Sequence, residues 1–170
     1  MPNRLRELML LRHAKSDWKK DEQADIDRPL SDKGKKNAAK LGKWLKEKNF
    51  FPDLILVSPA LRAQQTLKRI CNECSASAIT VENLYLAGIV QLQQVLADAP
   101  QAERIMIIGH NPGLEDLYNL LISETEPTHV QLFPTCAMAH FIMPNDWKNI
   151  AAGDGKLQQF ITPKDIKNSN

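Results

Sequence analysis

Three short runs of almost uninterrupted apolar residues most constrain how this chain of 170 residues can fold. Apolar residues on consecutive positions are typical of strands that are buried on both faces of a parallel sheet. Between these runs, apolar residues recur at the spacing of amphipathic helices. The runs are 7–11, 54–57 and 104–108, and the helical repeats lie at 38–45, 63–74, 89–99 and 114–121. The alternation predicts an α/β fold of three layers, α/β/α, with a mostly parallel central sheet and right-handed crossovers.

Two further strands are expected near the end of the chain, at 137–143 and 156–162. Turn-forming clusters of Pro, Asn, Asp and Gly lie between them, so these strands would form an antiparallel edge of the sheet. The length of the chain fits one domain. We expect that domain to span residues 1–163 and the polar segment 164–170 to be a frayed tail.

The charge and hydropathy of the chain exclude several classes of protein. Lys and Arg total 22 and Asp and Glu total 20, and the formal net charge of +2 is too small for a general nucleic-acid or membrane binder. No apolar run exceeds four residues, whereas a helix that spans a membrane needs about 20. The stretch 8–11 is also shorter than the roughly 7–15 apolar residues of a signal-peptide core. We therefore expect a cytoplasmic protein with no nucleic-acid or membrane partner.

The cysteines are few, and their number is odd: Cys71, Cys74 and Cys136. This count argues against a disulfide framework. Cys71 and Cys74 have CxxC spacing, but no second Cys pair or nearby His completes a tetrahedral zinc set. The favoured interpretation places both on one face of a helix, and the alternative is metal or redox chemistry.

Lysines crowd the helix that is predicted after Ser31. Because the apolar stripe of this helix takes one face, we expect most of the lysines on its solvent face rather than in an electrostatic patch. They are Lys33, Lys35, Lys36, Lys40, Lys43, Lys46 and Lys48.

An arginine or a histidine follows each of the three apolar runs, at the point where each predicted strand ends. Arg12 and His13 follow the first run, Arg62 follows the second and His110 the third. The carboxyl ends of parallel strands meet at one edge of a sheet, where ligands bind. Arginine is a permanently charged planar donor suited to phosphate oxygens, and histidine can act as nucleophile or proton carrier. These four residues therefore predict a site for a phosphoryl group.

The same residue types also have a purely structural interpretation. Arg12 and Arg62 could form ion pairs with acids such as Asp17 or Glu115, and the two histidines could be hydrogen-bonded core residues. Among residues outside these loops, His129 and His140 lie apart from any motif, and we expect His140 to be a hydrogen-bonded structural residue. The three tryptophans are first interpreted as packing residues, and Trp18 is the best candidate among them to line the mouth of a site.

Four sequence motifs resemble those of the histidine phosphatase superfamily, also called the phosphoglycerate mutase-like family. Arg12 and His13 are similar to its "RH" signature, 58–66 resembles its SPxxRxxQT motif, and 109–111 resembles its second histidine motif. The stretch 28–34 is similar to its "RPL[ST]xxG" helix entry. The strings RHAKSDW, DRPLS and GHNPGL are most similar to the compact phosphohistidine phosphatases of the SixA type. The resemblance implies a phosphoglycerate mutase-like fold.

The resemblance also implies a role for each site residue. His13 would attack phosphorus through a neutral ring nitrogen and form a covalent phosphohistidine, which water then hydrolyses. Arg12, Arg62 and His110 would hold the equatorial oxygens, so that neither a metal nor a cofactor is required. Further substrate-binding residues would be Lys15, Arg28 and Asn111, with Thr135 as another candidate; alternatively, Lys15 and Arg28 are exposed loop residues that are only solvated.

Two departures from the family pattern bear on the substrate. Ala14 and Lys15 stand where many relatives have Gly and Glu, and Ala87 stands at the position expected for a general acid. General acid catalysis is worth typically 10²–10⁴-fold for an alkoxide leaving group. Unless Glu82 or Asp17 folds into the site, its absence favours a phosphohistidine substrate, because imidazole leaves more easily.

The expected partner is accordingly a phosphorylated protein, such as a histidine-containing phosphotransfer domain, or a small phosphorylated molecule. Two alternatives to a phosphohistidine phosphatase stay open. One is a phosphatase of the same superfamily that acts on small phosphate esters, and the other is a phosphate-binding module without turnover.

Overall fold

The computed structural model describes residues 5–18, 22–122, 131–144 and 146–168. Within them, six strands form one sheet in the order β3-β2-β4-β1-β5-β6. Strands β1, β2, β3 and β4 run parallel, whereas β5 is antiparallel to β1 and β6 to β5. The strands are β1 Arg6–Arg12, β2 Leu54–Val57, β3 Ser77–Thr80, β4 Arg104–Gly109, β5 Met138–Met143 and β6 Lys156–Ile161. The predicted α/β fold, with an antiparallel edge, is confirmed.

Helices cover both faces of this sheet. They are α1 Asp32–Glu47, α2 Leu61–Ile70, α3 Ile89–Ala97 and α4 Gly113–Ile122. Alternate residues of β1 point to opposite faces: Leu8 and Leu10 pack in the cluster that includes α3 and α4. Met9 and Leu11 pack in the cluster that includes α1 and α2. Burial on both faces explains why the central strands are continuous apolar runs.

Strand β3 has no counterpart in the sequence prediction. All four of its residues are exposed, and it pairs only through β2 at the edge of the sheet. An edge strand exposed to water needs no apolar run, so hydropathy alone does not reveal it.

The structure of the CxxC segment differs from the prediction that Cys71 and Cys74 share one face of a helix. Helix α2 ends at Ile70, and Cys71 leaves the helical conformation with φ −132° and ψ 56°. Cys71 and Cys74 form a disulfide, while Cys136 is a buried free thiol. The helix-face interpretation is therefore wrong for Cys74, whereas one short bridge between near neighbours does not amount to a disulfide framework.

His140 and the C-terminal segment, both outside the site, were also predicted from the sequence. His140 donates a hydrogen bond from Nε2 to Glu7 at 2.7 Å, and Glu7 also pairs with Arg104, so His140 is a structural residue as predicted. Residues 163–165, where the tail was expected to begin, form a 3₁₀ turn, and the side chain of Ile166 is buried in the core. His129 lies outside the described residues, as do 169–170.

In the described part of the chain, no helix combines the length and apolar character that crossing a membrane requires.

Candidate active site

The carboxyl edge of the sheet brings the four predicted residues together. Arg12 ends β1 opposite Gly109, which ends β4, so His13 and His110 emerge side by side, with their ring centroids 5.2 Å apart. Arg62, in the first turn of α2, lies against both rings: its Nε is 3.3 Å from Nε2 of His13, and its Nη2 is 3.3 Å from Nδ1 of His110. His13, Arg62 and His110 are all buried. Together with Arg12 they line a cavity of about 830 Å³.

Hydrogen bonds fix the protonation state of His13. Its Nδ1 lies 2.7 Å from the carbonyl oxygen of Ala14, which can only accept, so Nδ1 carries the proton. In the neutral ring, Nε2 then keeps its lone pair, which faces the Nε–H of Arg62. Burial, followed by the charges of Arg62 and Arg12, lowers the pKa of His13 from 6.5 to about 4. At neutral pH, Nε2 is therefore an unprotonated nitrogen within the cavity.

His110 is held in the opposite tautomer. Arg62 can only donate, so Nδ1 of His110 accepts its hydrogen bond, and Nε2 donates to the hydroxyl of Ser58 at 2.6 Å. Burial lowers the pKa of His110 to about 3. A phosphoryl dianion beside the ring would raise that pKa and favour a doubly protonated imidazole that donates from Nδ1.

The segment 58–66 is built to fix Arg62 and the loop that carries His13. The hydroxyl of Thr66 donates to the carbonyl oxygen of Arg62 at 2.7 Å and accepts from the backbone N–H of Ala14 at 3.0 Å. Gln65 accepts from the backbone N–H of Leu30 at 2.8 Å. The side chains of SPxxRxxQT thus join α2 to both neighbouring loops.

At the carboxyl edge of the sheet, two buried polar atoms have no hydrogen-bond partner within the described residues: Nε of Arg12 and Oδ1 of Asn111. Both side chains donate to the carbonyl oxygen of Phe133, from Nη1 of Arg12 at 3.0 Å and from Nδ2 of Asn111 at 2.8 Å. Both residues line the cavity, as does Thr135. Arg12 thus lines the cavity with one donor unpaired, and no carboxylate forms an ion pair with it in the described part of the chain.

Sequence reasoning missed Asp25. Its carboxylate accepts from Nη2 of Arg62 at 3.0 Å, from Nη1 of Arg28 at 2.9 Å and from the hydroxyl of Tyr85. The Tyr85 hydrogen bond, followed by those of Arg28 and Arg62, lowers the pKa of Asp25 to about 2. Its only sequence signal is an acid three residues before Arg28. Arg62 thus has an acidic partner, but it is neither Asp17 nor Glu115.

Arg28 lies at the mouth of the cavity, and its burial excludes the alternative of a solvated loop residue. Arg28 is 8% exposed. It donates to Ser16 and to the backbone oxygen of Asp17, and its guanidinium lies 3.1 Å from the ring centroid of Trp18. Trp18 lines the mouth as predicted and is 73% exposed. Lys15 is exposed and lines it too.

Among the described residues, none of the acids that sequence reasoning considered as proton donors lines the cavity: neither Asp17 nor Glu82 does so. Ala87, at the expected acid position, is buried. In the same part of the chain, no group of three or more His, Cys, Asp or Glu side chains is arranged to hold a metal ion.

Comparisons with known proteins agree on one family. Residues 8–85 match the family model of the histidine phosphatase superfamily, branch 1. An uncharacterised protein of Mycobacterium tuberculosis is 32% identical over 162 residues, which cover 91% of this chain and 100% of that protein. Phosphohistidine phosphatase SixA of Escherichia coli K12 is 28% identical over 167 residues, covering 95% and 96%. The solved structure of a SixA-type protein from Nakamurella multipartitia has a TM-score of 0.81 at 25% identity, covering 94% and 96%.

Proposed function

The chain belongs to the histidine phosphatase superfamily and is SixA-like, and from this membership we propose that it is a phosphohistidine phosphatase with His13 as its nucleophile. The observation that carries the proposal is the state of His13. Its ring is neutral, its Nδ1 proton is committed to Ala14, and its Nε2 lone pair faces the arginine that would hold a phosphoryl oxygen. A phosphate-binding module would need no such unprotonated nitrogen.

The reaction would proceed in two displacements. In the first, Nε2 of His13 attacks phosphorus and forms a P–N bond while the P–N bond of the substrate breaks, and the departing imidazole keeps a proton. In the second, water attacks the phosphorus on His13, so that the new P–N bond breaks, inorganic phosphate leaves and His13 is regenerated. Arg12, Arg62 and His110 would hold the equatorial oxygens throughout, because the loose transition state places charge there.

The acids at the site support phosphohistidine over a phosphate ester. An alkoxide needs a proton as it leaves, and general acid catalysis supplies about 10²–10⁴-fold. Asp25 has a pKa of about 2 and is ionised at neutral pH. The hydrogen bond to Asp25 raises the pKa of Tyr85 above its ordinary value, which makes that hydroxyl a poor acid. A protonated imidazole, in contrast, leaves as a neutral ring without an enzyme acid.

The proposal is tested by phosphate release from two substrates at neutral pH: a histidine-phosphorylated phosphotransfer domain and glycerol 3-phosphate, an ester with an alkoxide leaving group. The variants are His13→Ala and, as a matched control, His140→Gln, which changes another buried histidine of the sheet outside the site. We expect the wild type and the control to hydrolyse phosphohistidine faster than the ester, and His13→Ala to hydrolyse neither. Rapid turnover of an ester alone would favour the small-molecule phosphatase, and no turnover of either substrate the binding module.

We also propose that the reaction needs no divalent metal ion. Arg12 and Arg62 supply the positive charge that a metal would otherwise bring to the phosphoryl oxygens. EDTA is expected to leave the rate of phosphate release unchanged. A loss of activity that added divalent metal restores would contradict this part of the proposal. The cytoplasmic location of the protein stays a prediction.

A further inference from the structure

The cavity continues beyond the phosphoryl site along a wall of lysines. Lys33 and Lys40 line it from α1, and Lys164 lines it from the 3₁₀ turn 163–165. Lys33 and Lys164 are exposed, and Lys40 is half-buried. We call these three residues the lysine wall. None of them contacts His13, Arg62 or His110 through a hydrogen bond among the described residues, so the phosphoryl site is complete without them.

The charge of the cavity is strongly one-sided although the chain carries a net charge of only +2. Counting only residues that the structure describes, its lining has one carboxylate, that of Asp25, and seven cationic side chains: Arg12, Lys15, Arg28, Lys33, Lys40, Arg62 and Lys164. Asp25 already pairs with Arg28 and Arg62. Within residues 5–18, 22–122, 131–144 and 146–168, no carboxylate forms an ion pair with the lysine wall. As far as the described residues go, the cavity is therefore lined by three lysines that no carboxylate pairs with.

We propose that the lysine wall binds a carboxylate-rich segment of the protein that carries the phosphohistidine. The inference rests on the proposed function for the identity of that protein and adds the chemistry by which it is recognised. Charge complementarity is the physical reason, because opposite potentials speed the encounter and fix the orientation of two proteins.

The spacing of the lysines favours an extended acidic segment over a compact anion. Lys33 and Lys40 are seven residues apart on α1, so they share one face of the helix at a distance of about 10 Å along its axis. Carboxylates on one side of an extended segment repeat about every 7 Å, so such a segment can pair with both lysines without drawing their side chains together on one anion.

Exposed apolar side chains at the same opening also favour a protein partner. Trp18 is 73% exposed and Leu86 is 55% exposed, and both line the cavity. Aromatic and large apolar residues that are exposed beside a polar rim are typical of protein-binding surfaces. A small phosphorylated metabolite would leave them in water.

The inference is tested by the binding of a fluorescein-labelled hexaglutamate peptide, followed by fluorescence anisotropy at low and high salt. This probe carries no phosphate, so the measurement is independent of turnover. The lysine-wall variant combines Lys33→Gln, Lys40→Gln and Lys164→Gln. The control variant combines Lys36→Gln, Lys46→Gln and Lys48→Gln. These changes remove the same charge from two exposed positions of α1 and from the exposed residue that caps its end, all outside the cavity.

We expect the wild type to bind the peptide with an affinity that falls as salt rises. The lysine-wall variant should bind roughly fivefold more weakly or worse, since exposed ion pairs are individually weak but three are lost together. The control variant should stay within about twofold of the wild type. At constant ionic strength, inorganic phosphate should not displace the peptide, because phosphate would occupy the arginines instead.

An equal loss of peptide affinity in the two variants would show that only the net charge of the protein matters, and it would overturn the inference. No loss of affinity in either variant would overturn it as well. Complete displacement by phosphate would place the peptide on the arginines and overturn it too. Peptide binding that meets the expectations, together with no hydrolysis of phosphohistidine, would refute the proposed function while leaving the lysine wall as an acidic-segment site.

Discussion

At the scale of single residues, the carboxylate of Asp25 accepts hydrogen bonds from the same arginine side chains that would bind a phosphoryl group. Its carboxylate lies 3.0 Å from Nη2 of Arg62 and 2.9 Å from Nη1 of Arg28. A phosphate anion at the same guanidinium would meet that negative charge, and like charges at close range oppose one another. We therefore expect Asp25 to weaken the binding of a phosphate product by Arg62.

Replacing this carboxylate by an amide is therefore expected to tighten product binding. In Asp25→Asn, the inhibition constant of inorganic phosphate should fall by roughly threefold to tenfold, because the charge of Arg62 is no longer offset. The measurement is competitive inhibition of p-nitrophenyl phosphate hydrolysis. Asp27 is an exposed acid outside the cavity, in the 3₁₀ turn Asp25–Asp27. Asp27→Asn is therefore the matched control and should leave the constant unchanged. A weaker inhibition in Asp25→Asn would contradict the competition.

The elements determine where these residues can lie. Strand β1 delivers Arg12 and His13, β4 delivers His110 and α2 delivers Arg62 to one edge of the sheet. The backbone N–H of His13 donates to the carbonyl oxygen of Gly109, which ties the first two strand ends together. The backbone at the start of α4 packs closely against the segment before α3. A Cβ at Gly113 would overlap the carbonyl oxygen of Ala87.

The start of α4 is therefore expected to tolerate no side chain at Gly113. Gly113→Ala should lower the free energy of unfolding by about 1–3 kcal/mol, since overpacking forces a backbone shift, and should lower activity by moving His110. Gly109→Ala is the control, because its Cβ would meet only ordinary contacts from 3.7 Å outward. Urea unfolding and p-nitrophenyl phosphate hydrolysis measure both effects. Equal stability of the two variants would contradict this account of the helix start.

A strand can be predicted from the sequence when its burial requires a recognisable pattern of apolar residues. Strands β1, β2 and β4 are buried on both faces and form apolar runs, so they could be predicted with nearly correct bounds. Strand β3 is exposed and could not. Arg12, His13, Arg62 and His110 could be placed at one edge because parallel strands share a direction. Asp25 could not, because a loop brings it back to the site and no periodicity marks a loop.

Across the whole molecule, the two histidines of the site couple folding to pH. Burial lowers the pKa of His13 to about 4 and that of His110 to about 3, from 6.5 in each case. At pH values between these lowered pKa values and 6.5, the unfolded chain binds more protons than the folded chain. The stability that depends on these two protonation states is fully present above about pH 6.5, and it is lost as the pH falls to about 4 for His13 and about 3 for His110.

Stability is therefore expected to decrease on acidification even before the carboxylates titrate. On moving from pH 8 to pH 5, His13 alone should remove about 2 kcal/mol from the free energy of unfolding. His13→Gln lacks this titration, so its loss over the same range should be smaller by about that amount. Urea unfolding of both proteins at the two pH values measures the difference. The same loss in both proteins would show that His13 titrates normally in the folded state.

The covalent intermediate tests the central claim most directly. A phosphotransfer domain carrying ³²P-phosphohistidine is mixed with the enzyme, quenched within its first turnovers in alkaline denaturant, and the labelled peptides are identified by mass spectrometry. The account predicts label on the peptide that contains His13, rising and then decaying at the rate of turnover, and none in His13→Ala. Label on another residue, or phosphate release with no labelled enzyme at any time in the first turnover, would contradict it.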